Sequence, residues 1–244
     1  SNNNNHGIIH GATWIENIPG CTDELACNTT EGANFDDGSC DYSCHDNGRY
    51  SISLDGNDDY IELSEPGVFN VDNLNYTLSV HFRLTSLDHT FYMPIIGRDD
   101  GDCRGFYLRF EGDQLSFSEN GGWPCNAQSN IIYMGGITVN DTEWHHVAII
   151  ADISNGVAYF YLDGQEVASD DVQLNNYSAS DALPEIGRKI EGAETFYGQI
   201  NDVAIWHKAL DENEASTLYQ DISLTSEIKD ANLVNDLVGH WRLN

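Results

Sequence analysis

From Gly48 onward, hydrophobic and polar positions alternate with a period of two, the spacing of a strand with one buried and one exposed face. Such runs appear at Tyr50–Leu54, Tyr60–Leu63, Tyr76–Leu84, Phe91–Ile96, Gly105–Phe110, Leu115–Ser118, Trp144–Ala151, Val157–Leu162 and Phe196–Trp206. Gly, Asp and Asn separate them at short intervals, which predicts an all-β, two-sheet antiparallel sandwich. Asp163-Gly164 between two runs predicts a two-residue hairpin, because glycine takes positive φ without a Cβ clash. One stretch changes period. In LDENEASTLYQDI, Asp211 is placed to cap a helix and Glu214 to close a capping box. Ala215, Leu218, Tyr219 and Ile222 follow at helical spacing and predict one short C-terminal helix docked by one face. In the last eight residues, Val238, His240 and Arg242 alternate with Gly239, Trp241 and Leu243. A sandwich without that strand would leave a row of backbone groups unpaired, so Leu237–Leu243 is expected to close its own sandwich, or else that of a neighbouring copy.

Residues 19–46 break the alternation and are rich in Cys, Asp, Asn and Gly. Six cysteines stand at Cys21, Cys27, Cys40, Cys44, Cys103 and Cys125, with no Cys-x-x-Cys pair, which predicts disulfides rather than a zinc site. The first four allow three pairings. Cys21–Cys40 with Cys27–Cys44 is preferred, and Cys103–Cys125 stands apart. A piece this short, lacking a core, needs cross-links or a bound cation. Asp23, Asn28, Asp36 and Asp37 are its candidate calcium ligands, with Asx-turns as the alternative use of the same side chains.

Charge narrows the partners. Forty Asp+Glu against ten Lys+Arg give a formal net charge of −30, which repels nucleic acid and anionic membrane and favours multivalent cations. The same charge also suits a plain solvated surface in salty surroundings. No apolar run reaches transmembrane length, and the disulfides point to an extracellular, secreted or cell-surface setting. Sequons at Asn28, Asn75, Asn140 and Asn176 matter only in a eukaryotic secretory route.

Three places carry candidate chemistry. The turn Asp55-Gly56-Asn57-Asp58-Asp59 offers several oxygens to a calcium ion, or simply solvates a turn. Arg98, Asp99, Asp102 and Arg104, tied to Gly121–Cys125 by a Cys103–Cys125 bridge, would surround Trp123 as a sugar-stacking aromatic, unless Trp123 only plugs the bridge. His145 and His146 are neighbours in a strand and point to opposite faces, so a structural role is expected. No Gly-x-Ser-x-Gly, P-loop or His-Glu-x-x-His motif is present.

The blocks YSISLDGNDDYIEL, WHHVAIIADISNGVAYFYLDGQEV and FYGQINDVAIWHKALDENEASTLY resemble, in the same order, the laminin-G-like, concanavalin A-like lectin/glucanase superfamily, covering residues 48–220. HGIIHGATWIE is similar to that family's segment just after its first strand, and LVGHWRLN to the first strand itself. The resemblance implies a jelly roll over 47–236, with 1–18 as an early strand segment, 19–46 as an inserted module and 237–244 as a closing or donated strand. The insert GCTDELACNTTEGANFDDGSC resembles Cys- and Asp-rich modules of large secreted marine bacterial proteins. The superfamily resemblance further implies a structural calcium between the Asp55–Asp59 turn and the opening of the last long strand, at Asn201, where the family usually has a carboxylate, with Asp202 next to it. Related glycoside hydrolases carry a Glu-x-Asp-x-Glu strand that is absent here, so no enzyme is expected. The function implied is a calcium-stabilised carbohydrate-binding or adhesion module. Its rivals are a repeat or filament subunit whose partners are its own copies, and the ancillary domain of a polysaccharide-degrading enzyme.

Overall fold

A computed structural model describes residues 15–24, 26–41, 51–64, 66–69, 71, 73–88, 92–99, 104–121, 130–173, 182–189, 194–225 and 228–243. The chain forms two units, Ser1–Asn47 and Gly48–Asn244. The first holds two short parallel strands, β1 (Pro19–Gly20) and β2 (Phe35–Asp36), closed by a Cys21–Cys40 disulfide. Ile18 N donates to Asn34 Oδ1, and Asn34 N donates to Ile18 O. Cys27 is also in a disulfide. Cys44, Cys103, Cys125 and the segment 1–14 lie outside the described residues.

The second unit is mostly β. Its strands are β3 (Ile52–Asp55), β4 (Ile61–Glu62), β5 (Tyr76–Leu84), β6 (Tyr92–Asp99), β7 (Arg104–Glu111), β8 (Gln114–Gly121) and β9 (Asn130–Thr138). They continue with β10 (His145–Asp152), β11 (Val157–Leu162), β12 (Gln165–Asp171), β13 (Glu185–Ile186), β14 (Tyr197–Trp206) and β15 (Leu237–Arg242). One sheet has the order β12-β11-β10-β5-β14-β15, with β3 also on β14, and the other β4-β13-β6-β7-β8-β9. Strand β5 shows how the pattern builds the sandwich. Tyr76, Leu78, Val80, Phe82 and Leu84 enter the core between the sheets, while Thr77, Ser79, His81 and Arg83 take the other face.

Helix α1 (Glu212–Thr225) and the short α2 (Ala231–Val234) cover part of the other face of the first sheet. The capping box forms as its residues dictate: Asp211 Oδ1 accepts from Glu214 N at 2.9 Å, and Glu214 Oε2 from Asp211 N at 3.0 Å. Ala215, Leu218 and Ile222 pack with Ala148, Ile150, Ala204 and Trp206. The expected hairpin turn is present, with Asp163 and Gly164 at φ 50° and 75°.

The final strand pairs within its own chain. β15 lies antiparallel along Asp202–Trp206, and β3 lies along Tyr197–Ile200 on the same side of β14, so the two meet end to end. Leu243 N donates to Asn201 O at the junction, and Trp241 stacks on Phe69 with ring centres 5.2 Å apart. β9 and β12 are strands that the alternation does not announce, the first because of its Gly135-Gly136 step, the second because it is an exposed polar edge.

Candidate functional site: the outer face of the six-stranded sheet

The residues singled out in the sequence scatter. Asp55, Asp58 and Asp59 do converge, with ligand oxygens within 4.8 Å of one another, all exposed. Asp55 is held by the amide and side chain of Asn57, hydrogen bonds that lower its pKa. Gly56 O accepts from Thr195 Oγ1 at 2.6 Å, which fixes the turn against the sandwich. The donor set, hard carboxylate oxygens on a glycine turn, fits a calcium ion. Asn201 and Asp202 do not join it, a correction to the resemblance. Register puts Asp55 opposite Tyr197, and four strand residues at roughly 3.3 Å each place Asn201 about 13 Å further along. Asp202 is 1% exposed and accepts from His240 Nε2 at 2.8 Å.

In the first unit, Asp23, Asp36 and Asp37 form no such cluster; among the described residues only Asp55, Asp58 and Asp59 do. Asp36 and Asp37 accept from the amides of Gly38 and Ser39 in Asx-turn fashion, and Asn28 bridges Ser39 O and Asp41 N. Trp123 and Asp102 lie outside the described residues. Arg98 is 3% exposed and opposite Phe106, and Arg104 shares that core-facing register. Neither faces outward to meet a sugar. Among the described residues of that group, Asp99 meets the outer face, accepting from Tyr107 Oη at 3.3 Å.

His145 and His146 occupy opposite faces. His145 lies between Asp163 (Nδ1, 2.8 Å) and Asp141 (Nε2, 3.0 Å), and these partners raise its pKa. His146 is fully buried against Ser79 Oγ at 2.8 Å, and desolvation lowers its pKa to about 3.

The outer face of the six-stranded sheet gathers a different set. Across adjacent strands, Gly97, Tyr107, Ser118 and Tyr133 stand in register, with Arg109 and Ser116 in the next outward row. Tyr107 is nearly buried because its ring lies where a Gly97 side chain would be; a Cβ there would come within 2.2 Å of the ring. Gly135 serves Tyr133 in the same way, since a Cβ there would sit 2.9 Å from the hydroxyl. Two strand glycines thus let two tyrosines lie across the sheet.

Arg109 is the centre of the patch. Its guanidinium lies 5.0 Å from the ring of Tyr92 and 5.6 Å from that of Tyr107. Its Nε and Nη2 both donate to Glu111 Oε1, at 2.9 and 2.6 Å. Tyr92 and Tyr133 are 46% and 45% exposed and offer ring surface to solvent. Burial, followed by the charge of Glu111, pushes the Tyr133 hydroxyl pKa up; burial and Asp99 do the same to Tyr107. Both hydroxyls therefore stay protonated donors at neutral pH. Ser118 Oγ is buried between Tyr107 and Tyr133 with no partner among the described residues. On the flank, Arg188 makes a two-point bond to Glu185 and covers the Tyr60 ring at 3.3 Å. The sequence does place Tyr107, Arg109 and Glu111 at period two, but nothing local says that this side faces outward.

Solved structures share this fold. The CBM40 of Ruminococcus gnavus IT-sialidase superposes with TM-score 0.56 at 16% identity, over 70% of this chain and 97% of that one. The binding domain of botulinum neurotoxin serotype D/C gives 0.55 at 16%, over 71% of this chain and 44% of that one, so this chain spans less than half of that structure. A heptameric SAP-like pentraxin from Limulus polyphemus gives 0.50 at 18%, over 69% and 81%. No curated protein matches the sequence. The family model of the concanavalin A-like lectin/glucanases superfamily matches residues 55–216, and the chain belongs to that superfamily.

Proposed function

We propose that this protein is an extracellular carbohydrate-binding module, and that the glycan lies on the outer face of the six-stranded sheet. One observation carries the reading: Tyr92, Tyr107 and Tyr133 surround an Arg109–Glu111 pair on a surface cleared by Gly97 and Gly135. A pyranose ring has an apolar C–H face that packs on tyrosine, and adjacent hydroxyls that match a guanidinium–carboxylate pair, one group donating and the other accepting. The R. gnavus CBM40 has been solved bound to α2,3-sialyllactose, so this scaffold accommodates glycans. The reading is binding without turnover, with Glu111 engaged by Arg109 at 2.6 Å.

Arg109→Ala and Tyr133→Ala are each expected to weaken glycan binding at least tenfold, at unchanged folding by circular dichroism. Gly97→Ala keeps every polar group but lifts Tyr107, and is expected to weaken binding likewise. Unchanged affinity in all three variants would remove this face from the function.

A calcium ion held by Asp55, Asp58 and Asp59 clips the turn between β3 and β4. At a hundredfold excess over its Kd, such an ion adds about 2.7 kcal/mol of stability. The melting temperature is therefore expected to rise by several degrees from EDTA to saturating calcium. Equal melting temperatures in the two conditions would exclude the ion.

A further inference from the structure

Each described cation on the proposed binding face has a carboxylate partner, and that matching bears on which glycans the face accepts. Among the described residues its cations are Arg109, Arg188 and Lys189, and each has a carboxylate: Glu111 at 2.6 Å, Glu185 at 2.6 Å and Glu194 at 3.8 Å. Asp99 bonds the Tyr107 hydroxyl, and Glu62 stands beside Glu185 in register, so five carboxylates meet three cations. Around them lies a chain of net charge −30.

We infer that this face takes neutral glycans and rejects acidic ones, with Glu111 as the discriminating residue; the inference rests on the glycan-binding reading above. An acid-bearing sugar, such as a sialic or uronic acid, needs a cation that can leave its present partner. Arg109 is the central one, and Glu111 Oε1 already takes two of its N–H groups. An incoming carboxylate must either displace Glu111 or lie beside it, and like charges in close contact are a strong device against a wrong ligand. A neutral sugar meets no such conflict. Its hydroxyl can donate to the remaining oxygen of Glu111 and accept from the remaining N–H groups of Arg109, while its apolar face rests on Tyr92 or Tyr133. Recognition of this kind depends little on ionic strength, because no net charge is neutralised on binding.

The test is an array of paired oligosaccharides that differ only by an acidic sugar, with lactose and α2,3-sialyllactose among the pairs. It is read with the full chain and with Glu111→Gln, in low and in high salt. The expected result is that bound glycans are neutral, that each acidic partner binds at least tenfold more weakly, and that Glu111→Gln narrows this gap by freeing Arg109. Tighter binding of the acidic member, or a gap that Glu111→Gln leaves unchanged, overturns the inference and leaves glycan binding standing. No binding to any glycan overturns the inference together with the reading on which it rests.

Discussion

Removing residues 237–244 lowers the stability of the second unit by about 4 kcal/mol or more. For a domain of some 200 residues, each kcal/mol shifts the melting temperature by about 2–4 °C, so a fall of roughly 8–16 °C is expected. The cause is specific. β15 supplies the ladder along Asp202–Trp206, and its loss leaves the backbone of β14 unpaired beside an otherwise closed core. Trp241 leaves Phe69, and Leu243 leaves the core edge where its amide bonds Asn201 O. Deleting a large apolar side chain from a packed site costs about 2–5 kcal/mol, less where it is partly exposed, as Trp241 is. Calorimetry of the truncated chain checks this. A truncated chain that melts like the full one and stays monomeric would show that the strand contributes nothing.

Acid destabilises the second unit well before its carboxylates titrate. His81 is 7% exposed, and burial lowers its pKa to about 4, while His146 is lowered to about 3. Both values lie below the unfolded 6.5, so the unfolded chain binds more protons as pH falls through 6.5 toward 4. The stability they contribute is fully present above pH 6.5 and is lost across that window, on the order of 3 kcal/mol for each by pH 4. His145 has the opposite sign. Its pKa is raised by Asp163 and Asp141, so its contribution is present at low pH and fades as pH rises through the raised value. With two groups against one, the net expectation is a melting temperature that drops by ten degrees or more between pH 7 and pH 4.5. His146→Gln, which can still bond Ser79, is expected to flatten that profile. A profile in the variant as steep as in the original chain would show that His146 does not titrate on unfolding.

Most of the strand pattern, the Asp163-Gly164 turn and the Asp211–Glu214 capping box are local features, and local spacing was enough to read them, β9 and β12 excepted. Tyr219 docks on the same sheet as its helix neighbours, but at the rim of their contact. It stands beside His146, 6.0 Å from its ring, while Ala215, Leu218 and Ile222 make the apolar contact.

The proposed binding face was not legible, because it is assembled across strands. Tyr92, Tyr107 and Tyr133 come from β6, β7 and β9, and they share a row or a side only through registers that pass bulges at Pro94/Ile96 and at Leu115/Phe117. Nor does a strand glycine announce that a tyrosine ring from the next strand will lie on it, as at Gly97. The same physics misdirected the expected calcium set. A bulge between Ile200 and Asp202 turns Asp202 to the outer face beside His81 and His240, far along the strand from the Asp55 turn.

The most direct test of the account is an amide chemical-shift map during titration with a neutral oligosaccharide that binds. Shifts are predicted in β6, β7, β8 and β9, largest around Tyr92, Arg109 and Tyr133, with α1 and β11 unmoved. Shifts confined to the Asp55–Asp59 turn or to the helix-covered sheet, with Arg109 and Tyr133 silent, would contradict the account.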